Sequence, residues 1–198
     1  MHHLPRMKPL VLTLAVVLSA AALDAQRSST TVPLPLRLTG ALISGGGIGN
    51  PTGTGRVDIT LNRWSSPEER TLLAEALTNQ GEEALLQELS RVRSVGTIRV
   101  NTQLAYDLRY ASETPRDEGG TRISLATDRP MSAWEIWNSP LYSRYPFTLI
   151  ELTLDRNGRG SGSLMLAARV TASSDGRFIF VENFATQPIA ITQLQVER

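Results

Sequence analysis

Reactive chemistry in this chain would have to come from carboxylates, tyrosines and arginines. The sequence has no cysteine, and its histidines and its single lysine all fall at the start, at His2, His3 and Lys8. Four acids interrupt otherwise apolar, strand-like stretches: Asp58, Asp107, Glu151 and Glu182. A pair of carboxylates held about 5–10 Å apart can share acid–base work or hydrolyse a glycosidic bond. Alternation along their strands places Asp58 and Asp107 opposite the apolar faces, toward solvent. Glu182, beside Val181 and Phe184, is the acid expected to be buried, with an arginine partner. A structural ion pair is the favoured role for all four, so no catalytic residue is assigned.

A second constellation runs from Ala126 to Asn138. Trp134 and Trp137 stand three residues apart, directly after Asp128-Arg129. One helical turn would bring both rings to the same side. With Tyr142 and Tyr145 close behind, they would form an aromatic rim at a barrel mouth, with Arg129 placed to meet an anionic group. Asp128, Arg129, Trp134, Trp137, Tyr142 and Tyr145 are therefore the candidate ligand-binding residues. The competing role is a packing plug, in which the rings cap a core and Asp128 satisfies local backbone.

The glycine-rich run Gly45 to Gly55 invites comparison with a phosphate cradle. It contains neither the P-loop Lys-Ser/Thr ending nor a G-x-G-x-x-G, and a strand rather than a helix follows it. A flexible hairpin loop is the expected structure.

The export signal accounts for much of what the rest of the chain lacks. Arg6 and Lys8 precede an uncharged run from Pro9 to Ala22, and small residues cluster up to Ala25. A basic start, an apolar middle and a small-residue end make a secretory signal peptide over residues 1–25. The run is shorter than the roughly 20 residues that span a bilayer, which favours cleavage over anchoring. Cleavage is expected after Ala25, or after Ala21 or Ala22. No cysteine follows, so a bacterial lipoprotein is not expected. Periplasmic or fully secreted localisation follows, with no stable membrane insertion.

Removing the leader takes with it both histidines and the lysine. Arg6, Lys8 and Asp24 leave too, and the remaining basic and acidic residues balance. A neutral protein has no field to attract nucleic acid or an anionic membrane. Without histidine, cysteine or lysine, a Ser-His-Asp triad, a Cys-His pair, a Schiff base and a nitrogen- or sulfur-ligated zinc are closed to it. No cofactor and no metal are expected. The partners in prospect are a small apolar or anionic ligand, or another protein.

The elements that must position these residues follow from pattern. Residues 26–35 are a polar, proline-bearing lead-in, and residues 36–198 form one β-rich domain of sufficient length for its own core. Strands are predicted over Leu36–Ser44, Arg56–Trp64, Gly96–Val100, Leu104–Tyr110, Thr121–Thr127, Tyr145–Asp155, Ser161–Ala172, Arg177–Asn183 and Pro188–Val196. Between the second and third, residues 66–93 read as a helical hairpin. Ser66 is the N-cap, Pro67 suits the first turn, Glu69 completes a capping box and Gly81 separates the helices. Leu72, Leu73, Ala76 and Leu77, then Leu85, Leu86, Leu89 and Val92, supply the apolar stripes. Asn157-Gly158 marks a two-residue hairpin turn, with sequential hairpins over the last four strands. The fold class is mainly β (α+β): an antiparallel barrel or curled sandwich of about eight or nine strands, capped by an inserted αα-hairpin. The helices, the mixed outward faces and a final Glu197-Arg198 argue against an outer-membrane barrel.

Several stretches carry a further likeness. Gly55-Arg56-Val57-Asp58-Ile59 to Trp64-Ser65, Tyr106-Asp107-Leu108-Arg109-Tyr110-Ala111, Ala126-Thr127-Asp128-Arg129-Pro130 and Tyr145-Pro146-Phe147 to Glu151 resemble a family of exported bacterial proteins of unknown function. The resemblance spans most of residues 26–198. It implies export and a bacterial source, and it brings no activity and no site residues.

Overall fold

The computed structural model describes residues 32–46, 52–131, 144–174, 176, 179–184 and 187–197. Among them are ten strands: β1 (Leu36–Ser44), β2 (Gly53–Leu61), β3 (Gly96–Val100), β4 (Tyr106–Leu108), β5 (Tyr110–Pro115), β6 (Thr121–Ala126), β7 (Phe147–Leu154), β8 (Arg159–Ala172), β9 (Ile179–Asn183) and β10 (Ile189–Val196). Two helices, α1 (Pro67–Gln80) and α2 (Glu82–Arg91), lie between β2 and β3. The expected mainly β, antiparallel architecture is the one found.

Every pairing is antiparallel, and the order across the sheet is β4-β3-β2-β1-β10-β8-β7-β6-β5, with β9 on the side of β8. The strands at the two ends of that order, β4 and β5, are separated in the chain by Arg109 alone. The sheet therefore curls into a nearly closed barrel, with one bent strand supplying both of its limits. Inward alternation slips at the bend. Leu108 and Ala111 are both fully buried in the same core, three residues apart, while Tyr110 packs outside. Strict period two would keep the inward positions two or four residues apart, so Arg109-Tyr110 holds an extra residue, as a β-bulge does.

The barrel interior is a single apolar cluster with members from every strand except β9, among them Leu38, Ile59, Ile98, Leu108, Ile123, Leu152 and Ile191. Val32 and Leu34 pack against the same cluster, and the Val32 amide donates to the Glu113 carboxylate at 3.0 Å. The end of the predicted lead-in is thus part of the core.

The helical hairpin forms as its caps dictate. The Ser66 hydroxyl accepts the Glu69 amide, the Glu69 carboxylate accepts the Ser66 amide, and Gly81 takes a positive φ between the helices. Its stripe of Leu73, Leu77, Leu89 and Val92 packs against Ala126, Phe147 and Val170 on the outer face of the sheet. The hairpin covers the wall of the barrel. Leu72, predicted in the stripe, is 48% exposed.

Three further expectations change. Leu104 is 87% exposed, because β4 starts only at Tyr106, and a strand continues to Pro115, beyond the expected limit at Tyr110. The last strand, β10, skips β9 and pairs with the first half of β8, so the hairpin series breaks there. The turn at Asn157-Gly158 has only Gly158 at positive φ, with the Gly158 amide bonded to the Asp155 carbonyl at 3.1 Å. A type I′ turn needs positive φ at both central residues, so this turn is a type I turn followed by a left-handed glycine.

Candidate functional site

The bend in the barrel wall places a guanidinium at the junction of strand, helix and loop. Arg109 Nε donates to Asp128 Oδ2 at 3.2 Å, and its Nη1 donates to the carbonyl of Val92, the C-cap of α2, at 3.1 Å. Its Nη2 lies 3.5 Å from Asp107 Oδ2. Asp107 and Asp128 thus converge on one arginine, which offsets one of their two charges and ties a helix end to the sheet. Asp128, one of the candidate ligand-binding residues, is held by Arg109.

Immediately after Asp128 the chain is held by two threonines, both fully buried. The Thr127 amide donates to the Thr148 carbonyl and the Thr148 amide donates to the Thr127 hydroxyl, each at 3.1 Å. The Thr127 hydroxyl donates to the Arg129 carbonyl. The Thr148 hydroxyl donates to the Leu166 carbonyl at 2.8 Å and accepts the Met131 amide at 2.7 Å. With its carbonyl turned inward, Arg129 lays its exposed guanidinium over the Tyr106 ring, 5.0 Å from the centroid. Among the described residues no acid pairs with it.

Tyr145 stands on a different group. Its hydroxyl donates to Glu182 at 2.7 Å, and its ring meets Phe184 edge-on at 5.3 Å. Burial and the Glu182 carboxylate raise its phenol above the ordinary tyrosine range. Glu182, expected to be buried against an arginine, is exposed instead, because β9 lies at the border of the sheet. Its cross-strand neighbour Arg169 pairs with Glu82 at 3.2 Å. Trp134, Trp137 and Tyr142 lie outside the described residues.

The other strand acids are outward and paired. Asp58 meets Arg56 at 2.8 Å and Arg99 at 3.5 Å, and Glu151 meets Arg122 at 3.3 Å. No cluster of three metal-ligating side chains occurs among the described residues. A hollow of about 300 Å³ lies by the β5–β6 turn, lined by Thr114, Pro115, Arg116, Asp117, Glu118 and Arg122, at the far end of β6 from Arg129. The residues that sequence reasoning missed are Arg109, Thr127 and Thr148. Their only sequence signal is polarity at or beside inward strand positions.

No protein family, no curated protein and no solved structure matches the chain.

Proposed function

We propose that this chain is exported to the periplasm or medium and acts as a non-catalytic interaction module, a barrel filled by its own side chains that meets other proteins through its outer surface. The observation that carries the reading is the interior: inward residues of nine strands merge into one apolar cluster of the barrel's own side chains. Asp58, Asp107, Glu151 and Glu182 support it too, because each has an arginine or a tyrosine as partner.

Native mass spectrometry of the protein, expressed with its leader and purified from the periplasm or medium, tests this. The expected species begins at Ala22, Leu23 or Gln26 and carries no bound small molecule. Retention of the leader would overturn export, and an added mass of a few hundred daltons in fixed stoichiometry would overturn the filled barrel.

A small anionic ligand is the second reading, favoured by the exposed Arg129 guanidinium stacked on Tyr106. It would show in the same spectra as an added mass that Arg129→Ala abolishes.

A further inference from the structure

Among the described residues, β9 pairs with β8 alone, in the register Ala168↔Asn183 to Ala172↔Ile179. Which of its backbone groups point outward follows from two bonds. The Phe184 amide donates to the Ala167 carbonyl, and the Val170 amide turns away from β9 to the Glu82 carboxylate at 2.8 Å. Phe180 and Glu182 therefore spend their amides and carbonyls on β8, while Ile179, Val181 and Asn183 direct theirs outward.

The edge is held firmly. One face of the β8–β9 ribbon, with Val170, Ala172 and Ile179, lies on the helical hairpin. On the other face Tyr145 bonds Glu182 and packs on Phe184. Natural edges are usually blunted by proline, a bulge or charge, and of these Ile179–Asn183 carries only the Glu182 charge, which Tyr145 bonds. Phe180 is 41% exposed beside it.

We propose that β9 pairs with β9 of a second copy, antiparallel about a two-fold axis through Val181. The strand is self-complementary in this arrangement. Val181 faces Val181 of the partner subunit, and Ile179 faces the partner's Asn183, so each outward amide meets an outward carbonyl in about six hydrogen bonds. Phe180 falls opposite the partner's Glu182, which leaves no like charges directly opposed. A five-residue strand covers well under the roughly 800 Å² per partner of a stable interface, so the dimer forms only at high concentration. The inference does not depend on what the barrel interior holds, and its failure would leave the filled-barrel reading standing.

Sedimentation equilibrium of the mature protein from about 10 µM to 1 mM is the test. The wild type is expected to move from monomer toward twice that mass. Val181→Pro removes an outward amide and none of the bonds to β8, and is expected to stay monomeric. Two substitutions at the exposed Phe180 keep the test open if that variant fails to fold. Phe180→Glu sets an acid against the partner's Glu182 and is expected to weaken the dimer at least threefold. Phe180→Lys sets a base against it and is expected to strengthen the dimer. A wild type that stays monomeric throughout would overturn the proposal, as would Phe180 variants that shift the equilibrium in the same direction. A partner of another kind on this edge would show as that first outcome.

Discussion

Thr127 and Thr148 hold each other across the end of the β6–β7 pair, each through a backbone amide and each fully buried. The pair closes the sheet at the point where the chain leaves β6 for the loop that carries Asp128 and Arg129. Thr127→Val keeps the shape and removes the acceptor of the Thr148 amide. A buried donor left without a partner costs about 1–3 kcal/mol. Urea unfolding should show that loss for Thr127→Val and little for Thr127→Ser, which keeps the hydroxyl. Equal stability of the two variants would refute the role.

Arg109 serves a carboxylate and a helix-end carbonyl at once, from one planar fork. Lysine offers a single point charge in that place and reaches one of the two. Arg109→Lys should therefore lower stability by about 1 kcal/mol, and Arg109→Met by more, since Asp128 then loses its partner in a half-buried place. The comparison needs denaturant midpoints at unchanged slope.

Capping of α1 has a pH signature. The Arg63 guanidinium, bonded to Glu69 at 2.7 Å, holds that carboxyl below its ordinary value of 4.5 despite partial burial. A carboxyl lowered in the folded state adds stability that is present above the ordinary value and lost as pH falls through the folded one. Stability measured from pH 6 down to pH 3 should fall, and Glu69→Gln should flatten that slope. Ser66→Ala should cost about 1 kcal/mol at neutral pH.

Tyr145 titrates in the opposite sense. Its phenol is raised above 10.0, first by burial and then by Glu182. Its stability contribution is fully present below 10.0 and is lost as pH rises through the folded value. Ultraviolet titration should find a phenol ionising above the ordinary tyrosine range, and Tyr145→Phe should remove that phase. Glu182→Gln should bring it back toward the ordinary range.

Pattern reasoning reached the elements whose signals are local. The alternation in β1 and β3 and the capping box at Ser66 and Glu69 act within a few residues, and each element formed where those signals lie. The bend at Arg109 was not legible, because a bulge changes the phase of alternation without a glycine or proline to mark it. Sequence alternation therefore joined Leu104 to Tyr110 in one strand and put Leu104 on an apolar face. The contacts around the candidate site were hidden for a related reason. Asp128 and Arg129 were recognised as a pair, but the partner that decides the role of Asp128 is 19 residues away, and the carbonyl that shares it lies 17 residues before Arg109. Such partners are set by the curl of the sheet and leave no spacing to read.

The seam between β1 and β10 bears on how the chain can be cut. Leu38 faces Val196 across it, and the Glu197 amide donates to the Arg37 carbonyl at 2.9 Å. The first and last strands are thus neighbours, and the barrel has no preferred starting point. A circular permutant that joins Glu197 to Val32 through a short glycine linker and opens at the exposed Asp117-Glu118 turn should keep the same strand order. Its near-native circular dichroism and cooperative melting would show that the ring of strands, rather than the order in which they are synthesised, specifies the fold.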